Sequence, residues 1–161
     1  MSAINSIRAR LSNNTAIAAL FTAQYAKQPK HFGGYRATQN GNDYPVICYV
    51  PVKATFPRIN RQVETQTLSL IVGLNDSRFI DSEGAVLDKA DIASAMSLGY
   101  SGVVVADEIM QAIIADFCSN LGVGEGWVIS SEFKINTDLS LKFPFFESEL
   151  SFELSKQVIR T

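Results

Sequence analysis

Apolar residues recur at helical spacing near the start of the chain: Ile4, Ile7 and Leu11, then, after the polar Ser12-Asn13-Asn14-Thr15, Ile17, Leu20, Phe21 and Tyr25. This predicts two short helices, or one broken helix, with Thr15 as the cap of the second and Pro29 as its end. The pattern changes period further on. Tyr44 to Val50 is a β-branched and aromatic run that predicts a strand, with Pro51 marking a sheet edge or a stop. A second strand is predicted from Glu64 to Leu74, where Thr65, Thr67 and Ser69 alternate with Gln66, Leu68 and Leu70. Between Val103 and Leu121 the helical period returns, with Ile109, Ile113, Phe117 and Leu121 on one face and Gly122 and Gly124 beyond the end. Two alternating segments follow. Trp127, Ile129, Phe133 and Ile135 oppose Ser130, Glu132, Lys134 and Asn136, and Phe146, Leu150, Phe152 and Leu154 oppose Glu147, Glu149, Ser151 and Glu153. A side-chain period of two sorts each set to opposite sides of a sheet, one apolar and one wet.

The predicted order is helix, strand, strand, helix, strand, strand. Consecutive strands without an intervening helix favour antiparallel hairpins, so the expected fold is α+β: a four-stranded, mainly antiparallel sheet with helices packed on one face. Two irregular stretches interrupt it. Residues 27–43 are rich in Gly, Asn, Gln and Lys, and residues 75–102 in Asp and Gly, with a short helix near Lys89 to Ser97. No repeat or linker divides the chain, and 161 residues suit a single domain, 1–161.

Composition narrows the class. Hydrophobic residues make up 47% and charged residues 19%, which excludes disordered and fibrous classes. The longest apolar runs fall far short of the roughly 20 residues that span a bilayer, so no membrane partner is expected. The start of the chain lacks the features of a secretory signal, which points to synthesis in the cytoplasm. Cys48 and Cys118 do not form a disulfide framework and are expected to be small buried hydrophobes.

The net charge of −2 is unevenly spread. Residues 1–61 carry eight Lys or Arg against the single acid Asp43, +7, while the rest carry six basic and fifteen acidic residues, −9. Such asymmetry fits a basic face for nucleic acid, or complementary faces on a subunit that meets copies of itself. Lys27, Lys30, His31 and Arg36 are interleaved with Phe32 and Tyr35, a weak nucleic-acid pattern. Three carboxylates, Glu147, Glu149 and Glu153, share one strand face; they either guard an edge or meet Arg58 and Arg61 of a neighbouring subunit.

No catalytic chemistry emerges. His31 is the only histidine, which removes His-centred triads and multi-imidazole metal sites. Asp76, Asp81 and Glu83 do not keep calcium-loop spacing and read as a solvated acidic loop. Asp107 and Glu108 suit the positive end of a helix dipole. Gly33-Gly34 and Gly122, Gly124 and Gly126 are turns, since the first group lacks the Gly-Lys-Ser/Thr ending of a phosphate loop and the second follows a helix instead of opening one.

The helix Ala3 to Leu11, the stretch Asp43 to Tyr49, the helix Ile109 to Leu121 and the ending Phe143 to Leu154, taken in that layout, resemble the tail-terminator or tail-completion proteins of long-tailed bacteriophages. These are small α+β subunits that form a ring capping the tail tube. The 75–102 stretch is longer than such a subunit needs. The resemblance implies a non-enzymatic virion protein of the tail or neck, without cofactor or metal. Its partners would be itself in a ring, usually a homohexamer, the tail tube protein and the head-neck connector, with DNA passing through the lumen. On this reading Arg58, Arg61, Glu147, Glu149 and Glu153 are candidate subunit contacts, and Lys27, Lys30, His31 and Arg36 candidate lumen or partner residues. Another neck or baseplate connector subunit, or a small nucleic-acid-binding module using residues 27–61, remains the alternative.

Overall fold

The computed structural model describes residues 2–34, 41–56, 62–137 and 143–158. Two helices open the chain, α1 (Ala3–Ser12) and α2 (Thr15–Tyr25). The Ser2 hydroxyl accepts from the Asn5 amide, and Asn14 rather than Thr15 caps α2, its side-chain oxygen accepting from the Ile17 amide. Ala26, in a left-handed conformation at φ 53°, ends α2 three residues before Pro29.

Strands β1 (Lys30–Gly33), β2 (Val46–Thr55) and β3 (Val63–Asn75) follow. A small two-stranded arm comes next, β4 (Phe79–Ile80) and β5 (Gly99–Tyr100), with the short helix α3 (Lys89–Ser94) between them. The long helix α4 (Ser101–Ser119) then leads into β6 (Gly122–Gly124), β7 (Trp127–Ile129), β8 (Lys134–Thr137) and β9 (Phe145–Gln157). The main sheet runs β1-β2-β3-β9-β7-β6, and β8 also pairs with β9. The fold is thus α+β as expected, but with seven strands in the main sheet, not four, among the described residues.

The difference has three sources: the division of the segment 127–137, the strand β1, and β6, where Gly122 and Gly124, expected to be turns, pair instead with Val128 and Trp127. The segment 127–137 cannot form one strand, because five residue steps separate Ile129 from Lys134 while their partners Leu154 and Ser151 are three steps apart. The two surplus residues bulge out, held where the Ser130 amide donates to the Glu153 carbonyl and the Glu153 amide donates to the Ser131 hydroxyl. Trp127 and Ile129 are therefore buried, Phe133 half-buried and Ile135 exposed. A further strand, β1, lies inside the stretch expected to be a loop. It pairs in parallel with Val46 to Tyr49, and it is too short and too exposed to carry an alternating pattern. Among the described residues nothing pairs with that side of β2 beyond Tyr49, so there Pro51 occupies an edge position where its missing N–H costs no ladder bond. The strand continues past it through a bulge to Thr55.

The sheet curls around the helices. α1 packs against β1 and β2 at one end of the strand order and β6 at the other, while α4 packs on β3 and β9. Inside lie Ile7, Leu11 and Phe21, the alternate residues Leu68, Leu70, Val72 and Leu74 of β3, and Leu150, Phe152 and Leu154 of β9. Facing them, α4 presents Val105, Ile109, Met110, Ile113 and Phe117. Each such side chain, once fully buried, contributes about 1.5–3 kcal/mol. Leu121 falls beyond the end of α4 and is exposed, as is Cys118 on its outer side; only Cys48 is a buried thiol. The outer face of the sheet is not uniformly wet, since Tyr44, Val46 and Cys48 form a second apolar cluster there with Val50, Ile71 and Phe145.

Candidate functional site

Glu147, Glu149 and Glu153 do share one face of β9, but each is half-buried. The hydroxyl of buried Ser69 donates to Glu149, so this carboxylate serves the fold. Glu153 lines a shallow hollow with Thr67, Ser131 and Lys134. Glu147 lies toward the other end of β9, bordering a groove described below. The three carboxylates are therefore spread along a strand. Arg58 and Arg61 lie outside the described residues.

The basic segment is also divided. Lys27 is exposed after α2, whereas the Lys30 ammonium lies 2.9 Å from the Asp43 carboxylate. His31 stacks on buried Tyr49, with its Nδ1 2.7 Å from the phenol oxygen. Burial, and then the positive charge of Arg8, push the His31 imidazole below its ordinary value. It is a packing residue at the edge of the sheet. Arg36 lies outside the described residues.

Of the three acids expected in a solvated loop after β3, Asp76 sits instead in a structural clasp, while Asp81 is half-buried and Glu83 exposed. Asp76, only 3% exposed, takes bonds from Arg78 Nε at 2.9 Å and Nη2 at 2.7 Å, from the Arg78 amide at 3.0 Å and from the Tyr25 hydroxyl at 3.0 Å. Burial would raise the carboxyl, but these bonds outweigh it and hold Asp76 below its ordinary value. The guanidinium also lies over the Tyr25 ring, tying the arm to α2. A second clamp joins α1 to the end of α4, where Arg10 binds the Asp116 carboxylate at 2.8 Å and the Asn120 carbonyl at 2.7 Å. A cation there satisfies the last carbonyls of the helix and complements its dipole. Asp107 and Glu108 sit past the first turn of α4, which begins at Ser101 and carries no acid in that turn.

What the fold builds on its surface is apolar. A groove of about 520 Å³ opens between the start of α4 and the β8–β9 pair, lined by Tyr100, Val103, Val104, Ile135, Phe143 and Phe146, with Asp107 and Glu147 as its carboxylates. Tyr100 is its hub, with ring centroids 5.4 Å from Phe79, 5.4 Å from Phe143 and 5.7 Å from Phe146. The floor depends on Gly102, where a Cβ would stand 2.2 Å from the Phe146 ring. Beside the groove, α3 buries no residue at all, and Val86, Met96 and Leu98 of the arm are exposed. At the opposite end of the sheet, the far part of the β2–β3 hairpin exposes Val52, Phe56 and Val63.

None of these apolar surfaces was singled out by sequence. A signal existed at Val103-Val104-Val105, because three consecutive β-branched residues cannot all share the stripe of a helix. Val105 takes the core, leaving Val103 and Val104 outside. Among the described residues no group of three or more His, Cys, Asp or Glu is placed to hold a metal ion, and no helix is long and apolar enough to cross a membrane. No protein-family model matches the chain, and no curated protein matches it.

Proposed function

We propose that the chain is a structural, non-enzymatic subunit of a phage tail, a tail-terminator-like protein. It forms a homomeric ring, a hexamer on the likeness noted from the sequence, that caps the tail tube, ends its polymerisation and offers a surface for head joining. The observation that carries this reading is the apolar surface left outside a complete core: a groove at one end, exposed arm residues Val86, Met96 and Leu98 beside it, and exposed Val52 and Phe56 at the other end. Apolar residues clustered at the surface of a folded chain mark candidate interaction sites. Two well-separated patches suit a subunit with neighbours on both sides. The partners in this reading are copies of itself, the tube protein and the head-neck connector, with DNA only in transit and the virion as its location.

Native mass spectrometry and negative-stain microscopy of the purified chain, alone and with its cognate tube protein, test the reading. Closed rings and tubes of defined length support it. A chain that stays monomeric at high concentration and leaves tube growth unchanged overturns it.

A further inference from the structure

We infer that the edge of β8 and the apolar groove beside it together bind an extended segment of another protein. The segment adds as a strand to β8, with apolar side chains and a Lys or Arg on its groove side and polar ones on the other. The inference goes beyond the ring reading and does not depend on it. The backbone supplies the first observation. β9 pairs with β3 without a break in register, so the direction in which its N–H and C=O point alternates regularly along it. The Ser130 amide donates to the Glu153 carbonyl and the Glu153 amide to the Ser131 hydroxyl. Glu153, and with it Ser151 and Glu149, therefore turns its backbone groups toward β8. Their partners Lys134 and Asn136 form the bonded pairs, and Ile135 and Thr137 direct N–H and C=O away from β9. Among the described residues β8 pairs only with β9, and such an edge is a template for another strand.

The side chains supply the second observation. Ile135 and Thr137, whose backbone groups point outward, also line the groove together with Val103 and Val104 of α4. A strand laid along β8 sends every second side chain into that groove, where Ile135, Val103 and Val104 are 40%, 46% and 44% exposed. Its other side chains lie on the outer face, where Lys134 lines the polar hollow with Thr67 and Ser131. Charge selects the basic residue. Among the described residues the groove lining holds Asp107 and Glu147 and no Lys, Arg or His. Asp107 is exposed and makes no ion pair among the described residues. Tyr100, Phe143 and Phe146 add aromatic faces, which also attract cations. The groove volume of about 520 Å³ lies within the roughly 300–1,000 Å³ of built binding clefts. A small ligand would use the groove alone, whereas open backbone and groove lining coincide on the same two residues, which fits an extended chain.

The test is fluorescence anisotropy of a labelled peptide, Lys-Thr-Val-Thr-Val-Thr-Lys, titrated with the full chain. Its sequence reads alike in both directions, so either strand polarity brings a cation to Asp107. Saturable binding at or below about 1 mM is expected, weak because a free peptide is ordered on binding. N-methylation of alternate amides is expected to abolish binding in one register and spare it in the other, since an added strand turns only every second N–H to β8. Replacing both Lys by Glu should weaken binding about tenfold. Asp107→Asn should weaken it about threefold, and Val103→Asp, which puts a charge in the apolar groove, about tenfold, both with unchanged circular dichroism. Absence of saturable binding in that range overturns the inference. So does the same response to both N-methylation registers, equal affinity for the Glu peptide, or unchanged affinity in either variant. Oligomers of the chain that exclude the peptide while monomers bind it assign the edge to a second copy, which also overturns it. Failure here leaves the ring reading standing, and a chain that forms no ring leaves this inference standing, because anisotropy reads binding in any assembly state.

Discussion

The tight fit at Gly102 supplies a sharp test of the fold. Gly102 lies in the first turn of α4, pressed against β9, and a Cβ at this position would stand 2.2 Å, 2.6 Å and 2.9 Å from three atoms of the Phe146 ring. Carbon atoms rest about 3.5–4.0 Å apart, so at least one contact is too short by more than ~1 Å. The ring cannot simply swing away, because Tyr100 and Phe143 flank it at centroid distances of 5.7 Å and 6.3 Å. In an unhindered helix Gly→Ala stabilises by up to about 1 kcal/mol, whereas overpacking a filled site costs about 1–3 kcal/mol. Gly102→Ala is therefore expected to destabilise by about 1–2 kcal/mol, a fall in Tm of roughly 2–8 °C for a chain of this length. With Phe146→Ala already in place the clash is gone, and the same substitution should stabilise by about 0.5–1 kcal/mol. Urea titration of the four proteins, compared by midpoint at constant slope, measures both effects as a double-mutant cycle. The reversal of sign is the point. If Gly102→Ala stabilises the protein in both backgrounds, α4 does not lie against Phe146 as described, and the floor of the groove is wrong with it.

Three further predictions concern charge. Asp76→Ala should destabilise by about 2–4 kcal/mol, near the lower part of the range for breaking a buried pair because the Arg78 side chain, 31% exposed, can turn to water. Arg78→Leu should invert the pH dependence near this site. The native Asp76 carboxyl is held below its ordinary 3.8, so its stabilisation is full above that value and lost as pH falls through the lowered one. Without Arg78 burial dominates, the folded-state value rises, and stability should fall as pH increases above about 4; a titration of urea midpoints with unchanged slope in that range would refute the clasp. For His31 the folded value lies below the ordinary 6.5, so the folded state binds fewer protons than the unfolded in that window. Stability should be full above 6.5 and decline as pH drops through the window, and His31→Gln should flatten that decline. An undiminished slope in the variant would place the titrating group elsewhere.

Much of the fold was legible because it rests on local periodicity. The inner face of β3, the apolar row of β9 and the α4 stripe through Phe117 appear where hydrophobic spacing puts them, since a long element against one core must repeat its apolar residues at its own period. Short pieces carry no such signal. β1 has four residues and draws its stability from hydrogen bonds to β2, and the division of β7 from β8 depends on a mismatch in length against β9 that neither segment contains.

The candidate contact residues illustrate the same boundary. Strand alternation was enough to place Glu147, Glu149 and Glu153 on one face, but their surroundings depend on what lies across the sheet: a buried serine for Glu149, a polar hollow for Glu153, the border of an apolar groove for Glu147. The charge imbalance between the first 61 residues and the rest was likewise plain, while the separation of the exposed Val52 and Phe56 from the groove by the length of β9 was not. What the sequence determined by itself is the set of elements whose side chains repeat with a local period, together with the inventory that offers a single histidine. What the tertiary structure decided is every relation between residues distant in the chain: the curl of the sheet around α1, the burial of Asp76, the approach of Gly102 to Phe146, and the apolar surfaces left at both ends. Periodicity acts between neighbours a few residues apart, whereas these relations come from the register and packing of whole elements, which no local pattern encodes.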